Sequence, residues 1–199
     1  DQLHNVQVQG PLSREILSEV VWTRPDQASV EELGWFRLSV ARIGDEHGIP
    51  IVISRTGYTG ELGYEVFCHP TDATAVWDAI WEAGEAQGLT PLGLEALDIL
   101  RIEAGLIFAG YEFCDQTTPL EAGLGWVTKL DAGAFVGREA LLRQKEEGVG
   151  RKLVGLKVGE KGIPRQGYDI LHGDEVVGSV TSGTRSPSTG ESIGMGYVP

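Results

Sequence analysis

The sequence predicts an α+β fold, with an antiparallel sheet and flanking helices followed by part of a C-terminal β-barrel domain. Three observations predict it. Two apolar runs, WFRLSVARI and IPIVISR, flank the turn GDEHG (Gly44–Gly48), which is the pattern of a hairpin. Within HPTDATAVWDAIWEAG, Ala73, Val76, Trp77, Ile80 and Trp81 recur at helical spacing. From Arg151 onward the texture changes to short runs broken by turns, as in a small barrel.

Taken in order, NVQVQG (Asn5–Gly10) alternates as a strand, and PLSREILSEV carries Leu12, Ile16, Leu17 and Val20 at helical spacing. The hairpin and the strand YEVF follow. Thr71 is placed to cap the next helix, which is expected to turn both Trp77 and Trp81 inward. A further helix runs through LGLEALDILRIEAG and stops at Gly105. KLVGLKV, GYDIL, EVVGSVTSG and SIGMGYV are the barrel strands, with an HGD turn after GYDIL. The polar, glycine-containing EEGVG places a domain boundary at Gly148–Gly150, so that residues 1–148 form the α+β region and 149–199 an incomplete barrel.

Composition narrows the function. With 199 residues and 41% hydrophobic content, the chain can bury a core. A net charge of −13 argues against nucleic acid and anionic membrane as partners, because both would be repelled. No window approaches the apolar length of a membrane span, and DQLHNVQVQG lacks signal-peptide character, so a cytoplasmic or mature organellar protein is expected. Two cysteines, Cys68 and Cys114, build neither a disulfide framework nor a four-thiolate site, and are expected as buried free thiols. The four histidines lack metal-ligand spacing, so no metal is expected.

The stretch SRTGYTGELGYEV (Ser54–Val66) spaces Gly57, Gly60 and Gly63 evenly and then sets Glu65 among apolar and aromatic residues. A phosphate cradle would need the loop to open a helix, and here it joins two strands. The two-residue period puts Glu65 and Phe67 on one face and Tyr64, Val66 and Cys68 on the other. Glu65 could accept two parallel N–H bonds from the edge of a flat heterocycle, such as a pterin. On spacing alone, a solvated residue on an edge strand is the plainer reading.

Read together with LRIEAG, TPLEAGLGW, FVGREAL and TSGTRSPS, in that order and spacing, this stretch resembles the aminomethyltransferase family, the T-protein of the glycine cleavage system and its folate-dependent relatives. The resemblance spans nearly the whole chain. It implies a three-domain fold around a central hole that takes tetrahydrofolate. Glu65 matches the family glutamate on the pterin edge, while Tyr58 and the glycines, Gly60 among them, would line the same pocket. The resemblance also implies a catalytic aspartate in an N-terminal region upstream of Asp1. The chain would then be a fragment lacking the N-terminal third and the last barrel strands, and inactive by itself.

Several departures bear on the activity. Leu97 stands where the family has an arginine for the folate tail, with Arg101 a substitute, and Ala109 and Cys114 replace a common tyrosine and aspartate. The resemblance implies transfer of a one-carbon unit from an aminomethyl-lipoyl carrier to tetrahydrofolate with release of ammonia. Its alternative is a folate-dependent demethylase of a sulfonium, amine or aryl ether. A folate-binding iron–sulfur assembly factor is disfavoured because Ala134 replaces the cysteine those relatives carry. A lipoyl carrier (H-protein) could dock on the basic stretch from Arg138 to Lys152, through Arg138, Arg143, Lys145 and Arg151, although a solvated helix face is the plainer reading.

Overall fold

The alternation in NVQVQG forms strand β1 (His4–Gln9), and the helical spacing after it forms α1 (Ser13–Val20). Short β2 (Val21–Thr23) precedes the expected hairpin of β3 (Leu38–Ile43) and β4 (Ile49–Ser54), and β5 is Gly63–Cys68. Helix α2 (Ala73–Gly84) and α3 (Leu94–Glu103) follow, α3 giving way to Gly105 at a left-handed φ of 68°. Helix α4 (Arg138–Glu147) precedes β6 (Lys152–Val158), β7 (Asp169–His172), β8 (Glu175–Arg185) and β9 (Ser192–Val198). The computed structural model describes residues 2–159 and 162–199.

Two compact units divide at Leu97/Asp98, within α3. In the first, a five-stranded antiparallel sheet has the order β1-β5-β4-β3-β2. One face buries Val8, Ala41, Ile43, Ile51, Ile53, Tyr64, Val66 and Cys68 against Leu17 of α1 and Val76 and Ile80 of α2. Within each strand these residues share a face by the two-residue period, which is what makes the core one-sided.

In the second unit a four-stranded antiparallel sheet runs β6-β9-β8-β7, the partial barrel expected. Residues 98–148 belong to this unit because their polar side chains, Arg101 and Glu112 above all, find their partners on β8 and β9.

Three local expectations are corrected. His69, not Thr71, caps the turn before α2: its imidazole nitrogen accepts from the Thr71 N–H, because Pro70–Asp72 forms a 3₁₀ turn ahead of the helix. Trp77 is 46% exposed, as Val76 and Ile80 already supply the stripe facing the sheet. Cys68 is buried, and burial pushes its thiol pKa up, with Asp72 adding to the shift; Cys114 is exposed.

Candidate functional site

The face of the first sheet opposite the core is built in rows by strand register. Gln7, Glu65, Ser54 and Leu38 lie abreast on β1, β5, β4 and β3, and Asn5, Phe67, Val52 and Val40 form the next row. Leu38 and Val40 are 63% and 55% exposed, so this is an open apolar platform carrying one carboxylate. The alternative of a solvated edge-strand residue does not hold for Glu65. Strand β5 is internal, paired on both sides, and Glu65 is half-buried.

The Glu65 carboxylate is held by neutral donors. Oε1 accepts from Asn5 Nδ2 at 2.9 Å and from Gln7 Nε2 at 3.5 Å, and Oε2 accepts from the Thr56 hydroxyl, itself 2.8 Å from the Ser54 hydroxyl. No cation pairs with it among the described residues. Its negative charge is thus oriented without being neutralised, which leaves it available to a ligand donor.

The glycines of the preceding loop serve a partner that sequence reasoning missed. A Cβ at Gly57 or at Gly63 would lie 2.0 Å from Oε1 of Gln9, whereas Gly60 is needed for a left-handed turn, with φ 81°. Gly57 and Gly63 therefore admit the side chain of Gln9, and Tyr58 is half-buried between Gly57 and Thr59 in the loop. The signal was present in the sequence: Asn5, Gln7 and Gln9 set three amides at alternate positions, hence on one face of β1.

In the second unit, Arg101 is 1% exposed and engages all its donors. Nε and an η nitrogen contact Asp98 at 2.8 Å, and the others reach the Leu106 carbonyl, Glu112 at 2.8 Å and the Ser182 hydroxyl at 2.7 Å. Glu112, 0% exposed, also accepts from the Phe108 N–H and the Thr181 hydroxyl. A bulge between Val180 and Ser182 lets two successive hydroxyls serve this one ion pair, which regular alternation would forbid. With every N–H engaged, Arg101 as it stands offers no donor to a folate tail. A cleft of about 280 Å³ beside it is lined by Asp98, Tyr111, Arg165, Thr181 and Ser182, among others.

The loop in TSGTRSPS is tied down by Glu103, which accepts from the Ser186 hydroxyl and from the Ser188 N–H and hydroxyl at 3.2 and 2.9 Å. The Ser186 bond, with help from Ser188, holds the Glu103 carboxyl below its ordinary range against a smaller opposing effect of burial. A lowered folded-state pKa stabilises above the unfolded value of 4.5 and is lost as pH falls through the folded value. Relative to their intrinsic exchange rates, the amides of Ser188 and Gly190 should therefore lose protection selectively on acidification below that range, and Glu103→Gln should abolish that loss. Protection that is flat with pH in the parent chain would sink this.

The four basic residues of the possible docking stretch are not equivalent. Arg138 bonds the Leu130 carbonyl and Glu139, and Arg151 bonds Glu121 and the Gln116 carbonyl and lies over the Tyr197 ring at 4.8 Å. Arg143 and Lys145 are exposed on α4. Among the described residues no helix is long and apolar enough to cross a membrane, and no three of His, Cys, Asp and Glu converge as metal ligands would.

Residues 1–132 match the GCVT N-terminal domain, and residues 151–199 match the glycine cleavage T-protein C-terminal barrel domain. A trimethylamine-oxide aldolase of Ruegeria pomeroyi is 56% identical over all of this chain and 25% of its own length. Aminomethyltransferases of Halothermothrix orenii and Clostridium botulinum are 47% and 43% identical over 96% and 100% of the chain, and 51% and 52% of theirs. The chain thus spans between a quarter and about half of the curated relatives it matches. The crystal structure of aminomethyltransferase T from Bartonella henselae shares the fold, with a TM-score of 0.72 over 99% of this chain and 76% of that one at 22% identity. On these matches, the chain belongs to the glycine cleavage T-protein (GCVT) family of aminomethyltransferases.

Proposed function

We propose that the chain is the tetrahydrofolate-binding part of a one-carbon transferase, with Glu65 holding the pterin edge. The observation that carries this is the state of the Glu65 carboxylate. It stands on an apolar platform beside Phe67, oriented by Asn5 and Thr56 and unpaired with any cation among the described residues. A carboxylate offers about four acceptor positions, and Oε2 keeps one beyond Thr56. Oε1 gains one when the 3.5 Å contact to Gln7 opens. Two parallel N–H donors, as on a pterin edge, suit those positions, and the half-buried Phe67 and Val52 offer apolar contact to the ring.

When bound, tetrahydrofolate supplies the nucleophilic nitrogen that takes up the carbon. This chain's own residues orient that molecule. Glu65 fixes the rotation of the ring in the plane of the platform, and the platform excludes water from its lower face.

For the donor, a small amine compound is favoured over a lipoyl carrier. The 56% identity to an enzyme named for trimethylamine oxide exceeds that to the aminomethyltransferases, and Leu97, Ala109 and Cys114 depart from the pattern of the latter. The two chemistries are compatible with one acceptor site. Trimethylamine oxide equals dimethylamine plus formaldehyde atom for atom, and an aminomethyl carbon stands at the same oxidation level as formaldehyde. Neither route needs an oxidant. The lipoyl carrier remains the second reading, supported by the exposed Arg143 and Lys145, and reversing their charge in the full-length protein would raise KM for an acidic carrier.

In the full-length protein, Glu65→Gln should weaken tetrahydrofolate binding by on the order of 1–3 kcal/mol, since a charge-assisted pair is lost with shape retained. Titration calorimetry measures it, and unchanged affinity would remove Glu65 from the site. Turnover with trimethylamine oxide or free formaldehyde, set against turnover with an aminomethylated lipoyl carrier, decides the donor.

A further inference from the structure

Gln9 closes β1 opposite Gly63, and its side chain enters the loop that leads into β5. The amide meets that loop at two points and the start of β5 at a third. Nε2 donates to the Thr56 carbonyl and to the Tyr64 carbonyl, both at 3.2 Å, and Oε1 accepts from the Thr59 hydroxyl at 3.1 Å. Thr59 is 5% exposed, and a Cβ at either Gly57 or Gly63, 2.0 Å from Oε1, would push the Gln9 amide out of these bonds. The loop is therefore folded around one amide whose donors and acceptor are all matched.

Thr56 links this lock to the carboxylate. Its carbonyl is held by Gln9 and its hydroxyl donates to Oε2 of Glu65. Only an amide can do this at that size: a carboxylate would set oxygen against two carbonyls, and a methionine would leave them without a donor.

We propose that Gln9 is a positioning residue for Glu65, acting through Thr56, and that the spacing of Gly57 and Gly63 exists to admit it rather than to bring backbone close to a ligand. The proposal rests on the reading of Glu65 as the ligand-binding carboxylate. Gln9 itself touches no ligand in this account. It fixes the direction in which the Glu65 lone pairs point.

The test is a double-mutant cycle on tetrahydrofolate affinity in the full-length protein, using Gln9→Ala, Glu65→Gln and the pair. Gln9→Ala should weaken binding by about tenfold, and adding it to Glu65→Gln should cost almost nothing more, because its effect passes through the carboxylate. A residue that merely supports the fold would instead multiply the two losses, and that result overturns the proposal. So does an unchanged affinity in Gln9→Ala while Glu65→Gln weakens binding. If Glu65→Gln has no effect, the site reading fails first and takes this one with it. Should Gln9→Ala not fold, Gln9→Met, of similar size and without charge, carries the same cycle.

Discussion

Replacing Arg101 by methionine should cost the second unit about 3–5 kcal/mol, because it leaves Glu112 as an uncompensated buried carboxylate. Glu112 would keep only the Phe108 N–H and the Thr181 hydroxyl, while Asp98, the Leu106 carbonyl and Ser182 each lose a donor. Cation–π contacts of Arg101 with Phe108 and Tyr111, at 5.6 and 5.9 Å, would go as well. The hub ties α3 to the segment around Glu112 and to β8, and Tyr197 of β9 donates to the Glu112 carbonyl. The loss should therefore be read in the amide exchange of β8 and β9. Combining Arg101→Met with Glu112→Gln should cost less than the sum of the two single changes, since the second removes the charge the first exposes. Strict additivity would mean that the ion pair is not the coupling element.

The first unit should respond most to Ile53→Ala, with a loss of about 2–5 kcal/mol. Ile53 is 0% exposed on the central strand β4, opposite Ser39 on β3 and Val66 on β5. Truncation opens a cavity where neither neighbouring strand can move in, because both are fixed by ladder bonds. Val40→Ala, on β3 but on the open face at 55% exposure, is the control and should stay within about 0.5 kcal/mol. Chemical denaturation of both variants checks the contrast. Equal effects would mean that the open face is as well packed as the core.

How much of this was legible in the sequence follows from the range over which each feature acts. Strand alternation is local, so the sequence by itself determined that β1 alternates and that Glu65 and Phe67 share a side of β5. Spacing at 3.6 residues likewise determined α1 and α2, and the turn residues determined the hairpin. Only the tertiary structure decided that β5 is an internal strand. Pairing order depends on residues far apart in the chain, and β1 reaches β5 across some sixty positions, as between Asn5 and Glu65.

The same limit explains the two glycine positions and the arginine. Gly57 and Gly63 announce a close approach, but the sequence does not say of what, and the answer lies on β1 in Gln9. Arg101 reads as a basic residue on a helix, available to a ligand. What engages it is Glu112, from a segment with no periodic signal, and Ser182, whose inward direction is set by a bulge. A bulge reverses the facing of every residue beyond it without any change in composition, so its effect is visible only once the strands are paired.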